Sequence, residues 1–318
     1  MSMPTFKHVF GPVMSRRLGR SLGINNIPYK TCTYSCIYCQ LGRTRNLSIE
    51  RRAFYSPEEV VSEVSEFINN VDEKVDYVTF VPDGEPLLDI RIGQEIAEIK
   101  KSVSKPIAVL TNASLLFRED VRKDLLDADL VSVKIDALTE DTWKKVNRPH
   151  PGLKLADILK GIEEFAGMFK GKLVTETMLV NEFNTSPEEL KLIVDFIRDL
   201  EPWRAYIAIP VRPPAEVYAK PPPPERLVEA YTLFADKLGE DHVELLNLPE
   251  PPELSVYGNP EVWLLNLVSV HPLRLSHAVR VLEKVVDDPE GLIRKLIDKH
   301  EISVVTFADE KFIVRRFS

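Results

Sequence analysis

Short apolar segments alternate with amphipathic helical segments along most of the chain. The helix expected after Ser56 is an example, because Ser56 can cap it, Pro57 suits its first position and Glu59 can complete a capping box. The predicted strands lie at residues 77–81, 106–110, 130–136, 173–180 and 205–210. Strands that alternate with helices indicate βαβ units, and therefore a parallel sheet.

The segment at residues 11–26 has a different pattern. It places turn-forming residues among arginines and contains few long apolar side chains. This pattern predicts a loop that is ordered by a ligand and leads into a short strand. With that short strand, the chain has six predicted βα units.

The segment at residues 130–136 alternates strictly between polar and apolar positions. Ser132, Lys134 and Asp136 fall on one face, and β-branched apolar residues fall on the other. Because the apolar face can pack on helices, the polar face predicts a polar barrel interior. A solvent-facing edge strand is the alternative.

The C-terminal residues predict a separate unit. Helices are expected at residues 260–270, 276–286 and 289–299, and a hairpin is expected from strands at 302–307 and 311–316. Three helices and a hairpin resemble a winged helix, a fold that binds nucleic acid, peptides or protein partners. A structural cap over the barrel is the other interpretation. The predicted organisation is a barrel at 1–245, a linker at 246–258 and a winged-helix-like domain at 259–318.

The composition is that of a soluble globular protein, with 318 residues, of which 44% are hydrophobic and 28% are charged. No apolar run approaches the roughly 18 residues that would span a bilayer. No secretory signal precedes the cysteines. We therefore expect a cytoplasmic protein without membrane contact, in a compartment where thiols stay reduced.

The charge is distributed unevenly along the chain. The net charge is −8, but residues 1–52 carry nine Lys or Arg and one Glu, which gives +8. Residues 53–258 carry −16, and residues 259–318 are balanced. The N-terminal cations have two interpretations: they neutralise a bound anionic group, or they also attract an anionic substrate such as RNA.

The three cysteines of the chain, Cys32, Cys36 and Cys39, are spaced C-x3-C-x2-C. Such a short run of thiolates can bind a soft metal or an iron-sulfur cluster. Three thiolates would leave one iron of a four-iron cluster open to a small molecule. The alternatives are a zinc site completed by His8 or His150, and a disulfide with one spare thiol.

With Tyr38 before the third cysteine, this motif resembles that of the radical S-adenosylmethionine (SAM) superfamily. The resemblance covers about residues 20–215 and implies an α/β fold, a partial (β/α)6 TIM-like barrel. It also implies a [4Fe-4S] cluster on Cys32, Cys36 and Cys39. Reductive cleavage of SAM there yields a 5'-deoxyadenosyl radical, which takes a hydrogen atom from a substrate. An electron donor of the flavodoxin or ferredoxin type is a further implied partner.

The same resemblance implies which residues bind SAM. Gly84-Glu85 follows a predicted strand as the superfamily's SAM-amine motif does, although Asp83 stands where that motif usually has a first Gly. The implied cofactor-binding residues are Tyr38, Gly84, Glu85, Asn112, Ser132, Lys134, Asp136 and Met178. The candidate substrate contacts are Arg16, Arg17, Arg148 and Arg212.

Residues 11–26 resemble a subgroup related to archaeal wyosine-synthesis Fe-S oxidoreductases, which suggests tRNA or another RNA as substrate. No cysteine remains for a second cluster, so formation of the wyosine tricycle is not expected. A glycyl-radical-activating or protein-modifying enzyme is the alternative. An interpretation of another class is a non-catalytic RNA- or protein-binding protein with a structural metal site.

Overall fold

Strands of the computed structural model, which describes residues 6–247 and 254–316, form one large sheet and two small ones. The strands up to the end of the large sheet are β1 (Val9–Ser15), β2 (Gly19–Ile24), β3 (Thr31–Cys32), β4 (Asn46–Leu47), β5 (Tyr77–Phe80), β6 (Ile107–Thr111), β7 (Leu130–Lys134), β8 (Lys172–Met178), β9 (Arg204–Ala208) and β10 (Val243–Leu246). The large sheet has the order β1-β2-β5-β6-β7-β8-β9-β10, and β3 pairs with β4.

All neighbouring strands from β2 to β10 are parallel, and β1 pairs antiparallel with β2. This curled parallel sheet confirms the predicted α/β fold and its partial barrel. The strand β10 is a parallel strand that sequence analysis missed. It has only four residues and follows a long helix, so it carries little periodic signal of its own.

The prediction of a ligand-ordered loop at residues 11–26 is wrong, because β1 and β2 form a hairpin there. The close packing of Phe10 against Gly23 explains why the apolar signal is weak. A Cβ atom on Gly23 would lie 2.1 Å from the Phe10 ring, so one aromatic ring covers a position without a side chain. Packing of this kind leaves few long apolar residues in the sequence.

Seven α-helices cover the parallel sheet within residues 6–247. They are α1 (Pro57–Asn70), α2 (Ile92–Ser102), α3 (Glu119–Asp124), α4 (Glu140–Val146), α5 (Leu155–Met168), α6 (Pro187–Asp199) and α7 (Pro224–Leu238). In α1, Ser56 is the N-cap residue and Pro57 is at the first position, as predicted. The capping box does not form, because the Ser56 hydroxyl instead donates to Glu58. Of the described helices, none is both long and apolar enough to cross a bilayer.

The C-terminal unit contains the predicted helices and hairpin. Its elements are α8 (Pro260–Val270), β11 (Leu273–Arg274), α9 (Leu275–Leu282), α10 (Pro289–Asp298), β12 (Ile302–Phe307) and β13 (Glu310–Arg315). Its three strands pair in the order β11-β13-β12. Phe10 of the barrel hairpin lies in the same apolar core as Trp263 and Leu267 of α8. The unit is therefore packed against the start of the barrel. The predicted linker falls partly on residues 248–253, which lie outside the described residues, and the winged-helix assignment stays a prediction.

Glu95 of α2 gives a stability prediction. Its side chain is buried, and neither carboxylate oxygen has a hydrogen-bond partner in the described part of the chain. Burial, with a smaller contribution from nearby Asp89, raises the pKa of Glu95 to about 8. Because the folded pKa exceeds the unfolded value, the protein loses stability as the pH rises from about 4 to about 8 through this group.

We therefore expect Glu95→Gln to raise the free energy of unfolding by about 3 kcal/mol at pH 8, and by less than about 1 kcal/mol at pH 5. Urea denaturation at the two pH values measures the difference. Glu66→Gln, at an exposed position of α1, is the matched control and should change stability little at either pH. An equal gain for Glu95→Gln at both pH values would contradict a charge-based cause.

Candidate functional site

The cysteine loop, defined here as residues 30–42, follows β2 and so lies at the carboxyl edge of the parallel sheet. That edge is where barrels of this kind bind ligands. At the base of the loop, β3 pairs Thr31 with Asn46, and the Lys30 carbonyl accepts hydrogen bonds from the Arg45 and Asn46 amides. The loop is thus closed by its own backbone.

Each cysteine thiol lies next to one nitrogen donor. Lys30 Nζ is 3.2 Å from Cys39 Sγ, Asn112 Nδ2 is 3.6 Å from Cys32 Sγ, and Asn147 Nδ2 is 3.5 Å from Cys36 Sγ. Burial raises the pKa of the Cys32 and Cys36 thiols to about 12. The thiolate forms therefore need compensation by a bound cation or cluster.

The donor set fits an iron-sulfur cluster. It consists of three free thiols, each with a hydrogen-bond donor, and a buried lysine that can offset negative charge. Among residues 6–247 and 254–316, no three His, Cys, Asp or Glu side chains are grouped as ligands of one metal ion. A cluster does not require such grouping, because each thiolate binds a different iron atom.

The two histidines considered as zinc ligands have contacts elsewhere. The ring of His8 packs against Tyr55, with centroids 4.4 Å apart, and His150 Nδ1 accepts from the Gly152 amide at 3.1 Å.

The turn after β5 packs directly on the cysteine loop through Gly84. A Cβ atom at Gly84 would lie 1.9 Å from the Thr31 carbonyl oxygen, and the Glu85 amide donates to that same oxygen at 3.1 Å. Only glycine allows this approach. Gly84 therefore brings the backbone of residues 82–84 beside the cysteines.

A cavity of about 270 Å³ opens beside the cysteines. All three cysteines line it, together with the backbone turn at residues 82–84. The predicted SAM and substrate residues that also line it are Tyr38, Gly84, Lys134, Met178, Arg16, Arg17 and Arg212. Residues from the loop, from β7 and β8, and from the segments that follow β1, β5 and β9 thus meet at one place.

Glu85 does not line this cavity. Its buried carboxylate accepts from the Thr111 hydroxyl at 2.5 Å, the Asn112 amide at 2.8 Å and the Leu87 amide at 3.1 Å. Burial raises the pKa of Glu85 to about 7. In the structure Glu85 stabilises the turn through these hydrogen bonds and does not line the cavity. Its direct contact with SAM stays a prediction.

Asp136 also lies behind the cavity. Its carboxylate accepts from the Tyr38 hydroxyl, from Asn147 Nδ2 at 2.8 Å and from the Met178 amide at 2.8 Å. Asp136 therefore positions Tyr38 and Met178, both of which line the cavity. Sequence analysis missed Asn147, which contacts both Asp136 and Cys36.

Asn112 and Ser132 are two further predicted SAM contacts that do not line the cavity. Asn112 Nδ2 lies 2.8 Å from Thr33 Oγ1 as well as near Cys32, so Asn112 supports the cysteine loop. Ser132 is buried on β7. Their contact with SAM stays a prediction.

Glu176 is a cavity residue that the site prediction omitted. It pairs in register with Lys134 on the neighbouring strand, and its carboxylate lies 2.7 Å from Lys134 Nζ. It also forms an ion pair with Arg17. Burial lowers the pKa of Lys134. Glu176 is the only acidic residue in the predicted strand at residues 173–180, and this isolated charge was the signal that could have identified Glu176 as a site residue.

Arg148 lies outside the cavity. It forms an ion pair with Glu216 at 2.5 Å, and Arg43 binds the same carboxylate at 2.8 and 3.0 Å. Arg148 and Arg43 therefore both bind the segment that carries Glu216, whose amide donates to the Ile37 carbonyl of the cysteine loop at 2.9 Å. Its predicted contact with substrate stays a prediction.

Arg212 connects the barrel to the C-terminal unit. Its guanidinium donates to Gln40 Oε1 at 2.7 Å and lies 3.2 Å from His271 Nε2. Gln40 Nε2 in turn donates to the Val270 carbonyl at 3.2 Å. The residue that follows Cys39 is thus tied to the end of α8.

Several N-terminal cations form ion pairs with acids from the rest of the barrel. The pairs are Arg17 with Glu176, Arg20 with Glu73, Arg43 with Glu216, and Arg51 with Asp120 and Asp124. The excess positive charge of residues 1–52 is therefore partly neutralised within the fold.

Lys30 gives a prediction about the cluster. It is buried, and although burial opposes its charge, nearby Cys39, Cys32 and Cys36 raise its pKa overall. Hydrogen bonds to sulfur and positive charge both raise the reduction potential of a cluster. We therefore expect Lys30→Met to shift the cluster's midpoint potential to more negative values, measured by a redox titration followed by electron paramagnetic resonance.

Lys134→Met is the matched control for Lys30→Met, because it removes a cation from the same cavity without removing a hydrogen bond to sulfur. In the absence of SAM, its shift should be the smaller one. Equal shifts would mean that the contact between Lys30 and Cys39 has no effect of its own.

Comparisons with known proteins agree with this geometry. The model of the family described as "Radical SAM superfamily" matches residues 26–197. UPF0026 protein MJ1312 of Methanocaldococcus jannaschii is 44% identical over 295 residues, which cover 92% of this chain and 87% of that protein. UPF0026 protein slr1464 of Synechocystis is 38% identical over 210 residues, which cover 66% and 77%.

A solved structure also has a similar fold. It is a radical SAM methyltransferase from Sphaerobacter thermophilus, with a TM-score of 0.52 and 14% identity. The match covers 71% of this chain and 66% of that chain. At this identity the likeness concerns the fold alone.

Proposed function

We propose, since the chain belongs to the radical SAM superfamily, that Cys32, Cys36 and Cys39 hold its [4Fe-4S] cluster and that SAM binds in the adjoining cavity. The superfamily consists of enzymes that use this cluster and SAM, so the chain is an enzyme. When bound, the reduced cluster would donate one electron to the sulfonium of SAM, and the resulting cleavage into methionine and a 5'-deoxyadenosyl radical would allow abstraction of a hydrogen atom from a substrate.

The residues of the cavity have separate roles in this proposal. Residues 82–84 line the cavity, and their backbone carbonyls would serve as acceptors for the ammonium group of SAM. Lys134, held by Glu176, supplies a cation for the SAM carboxylate. Met178, held through its amide by Asp136, offers an apolar surface for the adenine.

Positioning residues keep the thiols in place. Lys30, Asn112 and Asn147 each direct one donor at one sulfur, which lowers the cost of holding three negative charges close together. Tyr38 is fixed by Asp136, so the aromatic ring beside the last cysteine has one orientation.

The substrate is a separate question. The ion pairs of Arg17, Arg20, Arg43 and Arg51 reduce the positive charge that favoured RNA. Arg16 and Arg212 still line the cavity and are the candidate substrate contacts. RNA is one candidate. A protein is the second candidate, and the cavity between the barrel and the C-terminal unit favours it. We also propose a small flavodoxin- or ferredoxin-type protein as electron donor.

One observation carries the proposal: three partly buried thiols, each with its own nitrogen donor, lie beside the Gly84 turn. The test is to reconstitute the protein anaerobically with iron and sulfide, reduce it with dithionite and add SAM. We expect about four iron atoms per chain and release of 5'-deoxyadenosine. Bound zinc, or iron without SAM cleavage, would instead support a non-catalytic protein with a structural metal site.

A further inference from the structure

A second, larger cavity of about 900 Å³ lies between the barrel and the C-terminal unit. One wall is the segment at residues 209–221, which leaves β9. The opposite wall is the outer face of the hairpin, with Val305 and Val314, which point away from the core that contains Ile302 and Ile313. Its volume is typical of ligand-binding cavities.

This cavity adjoins the one beside the cysteines. Gln40, Leu41 and residues 209–211 line both cavities. Because Gln40 directly follows Cys39, a ligand in the larger cavity would border the cysteine loop.

The walls of the larger cavity are mainly apolar and stiff. Five prolines line it, at positions 210, 213, 214, 221 and 272. Proline fixes the backbone, so little conformational entropy is lost when a ligand binds. Val217 at the same segment is 87% exposed, which leaves an apolar side chain in solvent at the cavity.

The charged residues that line the cavity are all basic: Lys220, Arg274 and Arg315. Within the described ranges, no Asp or Glu lines it. Arg274 is 3.9 Å from Glu310, and Arg315 contacts Glu301, so acids offset part of this charge. Lys220 is exposed and has no ion pair in the described residues. The cavity therefore suits a ligand with one or two carboxylates rather than a polyphosphate.

The edge strand β12 borders the cavity. It pairs with β13 on one side only, and its residues 305–307 line the cavity. Backbone groups of alternate residues that point away from β13 have no strand partner in the described part of the chain. An extended peptide can bind such an edge through its main chain.

We propose that this cavity binds an extended, acidic segment of a polypeptide and that this segment carries the substrate of the radical chemistry. The statement that the bound segment carries the substrate rests on the proposed function, whereas the statement that the cavity binds an acidic peptide does not. Single-stranded RNA is the less favoured occupant. Its bases bind by stacking on several aromatic rings, whereas only two of the described residues that line the cavity are aromatic, Tyr29 and Phe307.

Binding is tested on the full chain in the absence of reductant. A phage-displayed library of random ten-residue peptides is selected against the iron-loaded protein, and a selected peptide is labelled with fluorescein for anisotropy. We expect enrichment of Glu and Asp among apolar residues, with depletion of Lys and Arg. Fluorescein-labelled oligouridine serves as the RNA probe.

Lys220→Glu reverses the charge of an exposed side chain, and we expect it to weaken peptide binding about tenfold. Lys220→Arg should bind as the native chain does. Lys101→Glu, at an exposed position of α2, is the matched control and should leave binding unchanged.

Enrichment without acidic residues, absence of enrichment, or equal binding by the Lys220→Glu and Lys101→Glu variants would overturn the inference. Tighter binding of oligouridine that is lost in Lys220→Glu would overturn it in favour of RNA. Because release of 5'-deoxyadenosine is measured separately, failure of peptide binding and failure of SAM cleavage are distinguishable.

Discussion

Cys36→Ala is expected to lose the cluster, with iron falling from about four atoms per chain toward zero after reconstitution. Release of 5'-deoxyadenosine should fall to the level of a blank without protein. The physical reason is that two thiolates would remain at a site built for three, with Asn147 directed at a missing sulfur. Iron analysis, the cluster's absorbance and chromatography of the SAM products measure the result.

Two controls separate loss of the ligand from loss of the fold. The unfolding midpoint of iron-free Cys36→Ala should stay close to that of the native chain, because the substitution removes one sulfur atom from a loop closed by its own backbone. Met178→Ala, in the same cavity, should keep its iron and bind SAM more weakly. Full iron content and SAM cleavage in Cys36→Ala would refute the proposed cluster ligands.

Gly84→Ala is expected to have the second largest effect. Its Cβ atom would lie 1.9 Å from the Thr31 carbonyl oxygen and 2.7 Å from the Thr31 carbonyl carbon. Backbone atoms cannot move aside as a flexible side chain can, so the turn and the cysteine loop would separate. We expect the free energy of unfolding to fall by about 3 kcal/mol, and reconstituted iron and SAM binding to fall with it.

Gly167→Ala is the matched control for Gly84→Ala. Gly167 lies in α5, and a Cβ atom there would have no neighbour within 4 Å. Alanine is the better helix former, so this variant should gain up to about 1 kcal/mol and keep its cluster. If Gly84→Ala were as stable as Gly167→Ala and retained its iron, the close packing of the turn on the cysteine loop would be disproved.

Local patterns in the sequence are enough to predict most strands and helices, the parallel sheet and the three cysteine ligands proposed for the cluster, but not β1 or β10. These features are local: periodicity, caps and short ligand spacing depend on residues near one another in the chain. The same holds for the helices and hairpin of the C-terminal unit, where the predicted and observed segments largely coincide.

Which polar residues line the cavity depends on how the strands and loops pack against one another. Ser132, Lys134 and Asp136 share a face in the sequence pattern, yet only Lys134 of the three lines the cavity. The Asp136 carboxylate instead accepts hydrogen bonds from the Tyr38 hydroxyl and the Met178 amide. Glu85 and Asn112 likewise support the site instead of lining it. Alternation gives the face of a strand, whereas the depth of a side chain depends on neighbours that are distant in the chain.

The ion pairs of the N-terminal cations and the contacts of the C-terminal unit also depend on residues that are distant in the chain. The cations of residues 1–52 formed a positive segment in the sequence, but their acidic partners, such as Glu176 and Glu216, lie more than a hundred residues away. The contacts of Arg212 with Gln40 and His271, and the large cavity beside them, bring together segments from both ends of the chain. Such pairings depend on how the chain packs in three dimensions, which no local pattern encodes.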